Sequence, residues 1–415
     1  MNKFARFDWL SLALYIVLVI IGLVNIYSAM YNADDNSTAL VFMQKQFISF
    51  GIGIFLILII QLIDTKFFER YASVLYLVSI LGLLGLWVFG TEVSGARSWY
   101  NIGGFSLQPS EFAKVALALA LAKHLGDFNT QIDRFKDYIS AFVIMGIPAF
   151  LTLLQPDPGT ALVLLGFFLV LHAEGLPSYF LTTLVSIIVL FVLSLLIGMY
   201  WVLFCVAAII VLYISLVSKR TRKKTLFPVL LVGLLVSGFT YSVSYIFENV
   251  FEQRHRDRFN ILLGKEVDNQ GIGYNINQSQ IAIGSGRFSG KGFLEGTQTK
   301  GGFVPEQQTD YIFTTVGEEW GFVGTTFVLA LFMLLVLRII RVAYKQKTTF
   351  SRVFCLGFAY TLFIHIAINL GMVVGLVPTI GIPLPFMSYG GSSLLAFSIF
   401  LGVYLRIAYQ RTSLV

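Results

Sequence analysis

The sequence predicts an all-α, polytopic integral membrane protein. Three observations carry this: hydrophobic residues make up 57% of 415, charged residues only 12%, and apolar windows long enough to cross a ~30 Å hydrocarbon layer recur from end to end. The first apolar run, Trp9 to Met30, has the length of a spanning helix and exceeds the ~7–15 residues of a cleavable signal core. It is followed by runs at 43–63, 72–90, 109–123, 138–155, 158–173, 178–198, 200–217, 226–247, 316–338, 352–375 and 391–410. With 10–30 these make about twelve spans. The chain, 1–415, reads as a single integral membrane domain whose large loop is 248–312.

The net charge of +7 has a topological meaning. Basic residues gather in alternate loops: Lys66 and Arg70; Lys123, Arg134 and Lys136; the run KRTRKK at 219–224; Arg338, Arg341, Lys345, Lys347 and Arg352; Arg406 and Arg411. The positive-inside rule makes these cytoplasmic, with both termini on that side. KRTRKK is therefore a membrane topology anchor, and no nucleic-acid partner is expected. Cys205 and Cys355 both lie in apolar runs, so no disulfide framework is legible. The histidines at 124, 172, 255 and 365 show no metal-ligand spacing.

Four segments interrupt the helical pattern: GARSWYNIGGFSLQPSEFAK at 95–114, LQPDPGT at 154–160, the 248–312 loop with its PEQQTD end, and GIPLPFMSYGGSS at 381–393. All four fall on the outer face. Broken backbone at membrane depth is tolerated where it is buried in protein or lines a wet cavity, so their clustering points to an outward-facing cavity.

The stretch FVPEQQTDYIFTTVGEEWG carries Glu306, Asp310, Glu318 and Glu319 with no base among them. Counting about 20 helical residues back from Arg338 reaches Glu318, and Asp310 lies roughly 12 Å further out if the helix continues. That places Asp310 at headgroup depth, with Thr314, Gly317 and Gly321 beneath it and Glu319 on the opposite side. Glu318 and Glu319 read as helix-end solvation or as hydrogen-bonding groups. Glu111 and Lys114 stand at i and i+3 just after Pro109, where they can orient a polar site. Two motifs are decoys. GSGRFSGKG at 284–292 has the wrong glycine spacing for a phosphate loop, and SEFAK is one residue too long for S-x-x-K.

The stretches GARSW, LQPSEFAK, LQPDPGTALVL, GYNINQSQIAIGSGRFSGKGFLEGTQT, FVPEQQTDYIFTTVGEEWGFVG and PLPFMSYGGSSLL resemble the SEDS family (shape, elongation, division and sporulation). GKGFLEGTQT is similar to its RodA branch. The resemblance spans about 95 to 400 and implies a peptidoglycan glycosyltransferase of the bacterial cytoplasmic (inner) membrane that polymerises lipid II at the outer face for cell elongation and rod shape. It implies as partners a class B penicillin-binding protein, other elongation-complex membrane proteins and membrane lipids. It makes Asp310 the catalytic residue, and Glu111 and Lys114 functional. The family core has ten spans, so the surplus pair, about 178–217, is an additional transmembrane hairpin.

The expected chemistry is removal of a proton from an acceptor sugar hydroxyl as it attacks an anomeric carbon, with a lipid pyrophosphate leaving. Asp310 suits the general base. Arg97, Lys114, Arg256, Arg258 and Lys291 are the cations available to the pyrophosphate, and a divalent cation is the alternative, with no cofactor assigned. Arg256 and Arg258 serve equally well as headgroup contacts. Ser392 and Ser393 open the last span, where free amides can face a phosphate, although close packing also accounts for the adjacent glycines. A lipid II flippase or a non-catalytic scaffold of the wall-building complex are the competing readings. Transporters also carry broken helices and intramembrane charges.

Overall fold

The computed structural model describes residues 7–31, 36–93, 95–103, 105–249, 251, 253–263 and 272–413. The apolar runs are helices, as hydrocarbon requires of any segment that must satisfy its own backbone polar groups. Their order is α1 (Trp9–Met30), α2 (Ser37–Leu62), α3 (Thr65–Phe89), α4 (Pro109–Gly126), α5 (Phe135–Leu153), α6 (Pro158–Leu165), α7 (Phe168–Ala173), α8 (Ser178–Ile197), α9 (Met199–Leu216), α10 (Lys219–Asn249), α11 (Gln253–Leu262), α12 (Ile272–Ser285), α13 (Thr297–Lys300), α14 (Ile312–Ala343), α15 (Thr349–Val373) and α16 (Gly391–Ser413). Among the described residues ten helices are long and apolar enough to span a membrane. The other two predicted spans are α4, which carries Glu111, Lys114 and Lys123, and the α6–α7 pair, interrupted at Gly166 and Phe167.

Contacts divide the chain into two compact units. One is Met1–Leu176 with Asn275–Val415, and the other is Pro177–Tyr274. The second unit holds α8, α9, α10 and α11, and therefore the predicted extra hairpin. Its helices are sparsely buried, 6% of the spanning window in α9, so their apolar surface faces outward. The first unit is built around α15 and α16, whose spanning windows are 67% and 78% buried. Around them α16 packs on α2, α15 on α4 and α14, and α3 on α4.

Polar contacts mark both ends of the first unit. At one end Asp8 caps α1, accepting from the Ser11 hydroxyl at 2.9 Å, and also accepts from Tyr404 at 2.7 Å and Arg338 at 3.2 Å. Gln61 there donates to the Gly402 carbonyl at 2.9 Å. This is the end that the charge pattern assigns to the cytoplasm. At the other end Gln46 donates to the Ser388 carbonyl at 3.1 Å, Gln155 to the Leu83 carbonyl at 2.8 Å, and Gln307 to the Ala29 carbonyl.

Two features depart from the helical expectation. Residues 91–107 fold into a three-stranded antiparallel sheet of β1 (Thr91–Val93), β2 (Ala96–Ile102) and β3 (Phe105–Leu107), with Thr91 opposite Trp99 and Asn101 opposite Ser106. It is tied to α3 by the Tyr100 hydroxyl, which donates to the Gly82 carbonyl at 2.8 Å. The second is a break in α14 at Gly321, whose φ of 63° and ψ of −158° are conformations for a residue without a side chain. A broken membrane helix exposes backbone groups that need partners. The segment 287–292 supplies them: Lys291 and Gly292 amides donate to the Glu318 and Glu319 carbonyls, both at 3.0 Å, and the Arg287 and Phe288 carbonyls accept from Phe322 and Val323. The Gly-rich motif rejected as a phosphate loop is thus the backbone partner of this break.

Candidate functional site

Asp310 lies in the turn before α14, whose cap is Tyr311, and so the helix does not continue through it as the span count assumed. The turn is closed locally by Thr309, whose amide and hydroxyl both donate to the Glu306 carbonyl at 3.1 Å. Tyr389 donates its amide to the Gln308 carbonyl at 2.9 Å, joining this turn to the loop between α15 and α16. The side-chain amide of Asn369 donates to the Asp310 carbonyl and to the Ile382 carbonyl, each at 2.8 Å. Asp310 is half-buried. A Cβ on Gly381, which has a φ of +70°, would sit 3.4 Å from Asp310 Oδ2, so the backbone of this loop borders the carboxylate.

The second polar group lies inside the bundle. Pro109 occupies the first turn of α4, and Glu111 and Lys114 one turn on form an ion pair at 2.7 Å. Both side chains are nearly inaccessible, 3% and 1% exposed, so this pair is buried and is not the exposed pair whose worth is only a few tenths of a kcal/mol. Lys114 Nζ is also 2.9 Å from His365 Nε2 and lies over the Phe397 ring. Glu111 Oε2 is buried with no hydrogen-bond partner among the described residues.

The sheet and the α6 entry are attached to this group. Gln108, cap of α4, donates its side-chain amide to Asp157 Oδ2 at 3.1 Å and its backbone amide to the Ser392 hydroxyl at 3.0 Å. Ser392 donates in turn to the Ser106 carbonyl at 3.0 Å. Asp157 caps α6 by accepting from the Thr160 amide at 3.0 Å and hydroxyl at 2.8 Å. Burial pushes its carboxyl above the ordinary range, the Thr160 donors oppose that, Glu111 adds to it, and Lys114 counters it.

Of the residues singled out by sequence, Asp310 and Lys114 are tied to α15 through Asn369 and His365, Glu111 is paired with Lys114 on α4, and Ser392 is tied to the start of α4 through Gln108. Ser393 sits beside Ser392 in the first turn of α16. Arg97 is exposed on β2, with a guanidinium donating to the Trp87 carbonyl at 3.3 Å. Lys291 is paired with Glu318 at 2.7 Å. Arg256 belongs to the second unit, where it donates to the Glu248 carbonyl at 2.9 Å and to Gln253 at 2.8 Å, and Arg258 lies on the same helix, α11. Glu318 and Glu319 are buried hydrogen-bonding groups rather than solvated ends. Glu318 accepts from the Gln298 and Thr299 amides at 2.9 Å as well as from Lys291, and Glu319 accepts from Ser28.

Sequence reasoning passed over His365, weighed only as a metal ligand, and Asn369, Gln108 and Asp157. The signal for the first two was present: polar side chains at i and i+4 in an otherwise apolar span are costly unless they serve a site. Among the described residues no group of three His, Cys, Asp or Glu gathers to hold a metal.

A family model described as cell cycle protein, of the FtsW, RodA and SpoVE group, matches residues 8–413. The peptidoglycan glycosyltransferase MrdB of Escherichia coli K12 is 32% identical, with 100% of this chain and 98% of that protein covered. A chain of a solved peptidoglycan synthase complex, described as coordinating polymerization and crosslinking, superposes with a TM-score of 0.70 at 29% identity, covering 98% of both chains. The rod shape determining protein RodA of Thermus thermophilus superposes with a TM-score of 0.62 at 27% identity, covering 98% of this chain and 97% of that one.

Proposed function

The chain belongs to the SEDS family of FtsW, RodA and SpoVE cell cycle proteins, on its RodA branch, and from that membership we propose that it polymerises lipid II into glycan strands with Asp310 as the general base. It is a multi-pass membrane protein and a peptidoglycan glycosyltransferase. Polymerisation for cell elongation takes place at the outer face of the bacterial inner membrane, where a carboxylate at the end of the bundle meets a lipid-linked sugar.

The observation that carries the reading is the setting of Asp310. It is the carboxylate of a half-buried residue on a turn pinned to α15, and the loop residue bordering it, Gly381, has no side chain of its own to crowd it. Proton removal by such a group is worth ~10²–10⁴-fold in rate. The negative charge of the leaving pyrophosphate is balanced by the accessible cations, of which Arg97 is exposed and Lys291, paired with Glu318, partly so, while Lys114, buried in its ion pair, acts by holding the site. In the first unit the opening turn of α16, with Ser392 and Ser393, is the proposed phosphate contact; in the second unit Arg256 and Arg258 are proposed, separately, for contact with lipid headgroups. A class B penicillin-binding protein is the proposed cross-linking partner, since the family's synthase complex couples polymerization to crosslinking.

The test is purified protein with lipid II and that partner in detergent, where there is no bilayer to cross. Glycan chains that lengthen with time are the expected product. Reproducible absence of polymer with lipid II binding intact contradicts the reading and returns weight to transport or scaffolding.

A further inference from the structure

The loop segment from Gly381 to Pro383 lies between the buried Glu111–Lys114 pair and Asp310, yet it has no regular secondary structure of its own. Gly381 is in a left-handed conformation, and Pro383 has no amide hydrogen. The carbonyls of Ile382 and Pro383 are buried acceptors that need donors, and both find them on α15. Asn369 uses one side-chain N–H on Ile382 and the other on Asp310. His365 Nδ1 is 3.2 Å from the Pro383 carbonyl. A carbonyl can only accept, so Nδ1 carries the proton and Nε2 presents a lone pair to the Lys114 ammonium at 2.9 Å.

His365 and Asn369 are at i and i+4, on one face of α15, and are 1% and 0% exposed. One turn of a rigid helix thereby joins Lys114 to Pro383 and Ile382 to Asp310. We propose that His365 and Asn369 are positioning residues of the glycosyl transfer, registering the Gly381–Pro383 segment and the Asp310 turn against the buried Glu111–Lys114 pair. This rests on the reading of Asp310 as the base and extends it to two residues that do not touch the reacting atoms. The Asn369 contact acts on the Asp310 backbone, so its loss misplaces the carboxylate without removing it. A misplacement of about 1 Å at a reacting group is enough to cost orders of magnitude in rate.

The experiment compares wild type, Asn369→Asp, His365→Leu, His365→Gln and Asp310→Asn in one lipid II polymerisation assay, with rates taken per molecule in the monodisperse chromatographic peak and melting temperatures measured on the same samples. Asn369→Asp keeps the size of the side chain but puts a carboxylate against two carbonyls. His365→Gln keeps an acceptor for Lys114 and an amide donor, whereas His365→Leu keeps neither. The expected result is a fall in kcat of about tenfold or more for Asn369→Asp and His365→Leu, with KM for lipid II within about threefold and His365→Gln rescued to within about threefold of wild type. Should Asn369→Asp give no monodisperse peak, Asn369→Ser, which can still donate to one carbonyl, is held to an intermediate loss. Wild-type kcat in Asn369→Asp or His365→Leu, or losses that follow melting temperature with no rescue by glutamine, overturns the inference. Full activity in Asp310→Asn instead overturns the reading beneath it, whatever the other variants do.

Discussion

Lys291 Nζ lies 2.7 Å from Glu318 Oε1, joining the Gly-rich segment to the broken half of α14. Glu318 is fully buried and also accepts from two backbone amides of α13, so one carboxylate holds three chain segments. Glu318→Gln leaves the ammonium and several donors competing for a single amide oxygen. The expected cost is about 3 kcal/mol of stability, with a smaller loss for Lys291→Met, because the two amides still serve the carboxylate and Lys291 is partly solvated. Thermal melts of both variants in one detergent check the order. A Glu318→Gln protein as stable as wild type would show that the break is held by backbone pairing alone.

At the opposite end of the bundle, burial alone would raise the Asp8 carboxyl. Hydrogen bonds from Tyr404, Arg338 and Ser11, with the Arg338 charge, instead hold it below the ordinary carboxylate range. A carboxylate with a lowered folded pKa adds stability that is present above its unfolded pKa and is lost as pH falls through the folded value. Wild type should therefore lose thermal stability as pH drops below about 4, and Asp8→Asn should show a flatter acid limb. At neutral pH the same substitution should cost roughly 2 kcal/mol, since asparagine can keep the helix cap but loses the charge-assisted hydrogen bonds from Arg338 and Tyr404. Parallel acid limbs in the two proteins would remove Asp8 from the account.

Gly381→Ala adds a methyl group that space allows, with Asp310 Oδ2 at ordinary contact distance, but forces a φ of +70° on an L-residue. The strain is about 1–2 kcal/mol, and relieving it shifts the loop that borders the catalytic carboxylate. Polymerisation should fall about tenfold while lipid II binding and melting temperature change little. An unchanged rate would show that the loop tolerates the shift and does not set the carboxylate's surroundings.

Much of this architecture was legible in the sequence because hydrocarbon imposes one rule on every span. The runs at 10–30 and 352–375 became α1 (Trp9–Met30) and α15 (Thr349–Val373), within about three residues at each end. The Glu111–Lys114 pair was legible too, from an i,i+3 spacing next to a helix-starting proline. What was not legible depends on contacts distant in sequence. Nothing local to Gly321 says that α14 breaks there, since the break is stable only because the backbone of 287–292 supplies its partners. The small sheet at 91–107 likewise needs α3 and α16 beside it, through Tyr100 and Ser392. For His365 the i,i+4 spacing with Asn369 in an apolar span marks a polar site, but its partners, Lys114 and Pro383, are distant in sequence and come only from the fold.

The central claim is that Asp310 removes the acceptor proton, and the most direct measurement is the initial rate per folded molecule of Asp310→Asn beside Glu319→Gln in one lipid II assay. Glu319 is buried on the same segment and accepts from Ser28, a contact that glutamine can keep, so it controls for loss of a carboxylate without loss of the base. The expected result is a fall of two or more orders of magnitude for Asp310→Asn with folding and partner binding intact, and a rate within about threefold of wild type for Glu319→Gln. An Asp310→Asn protein that keeps about a third or more of the wild-type rate would contradict the mechanism.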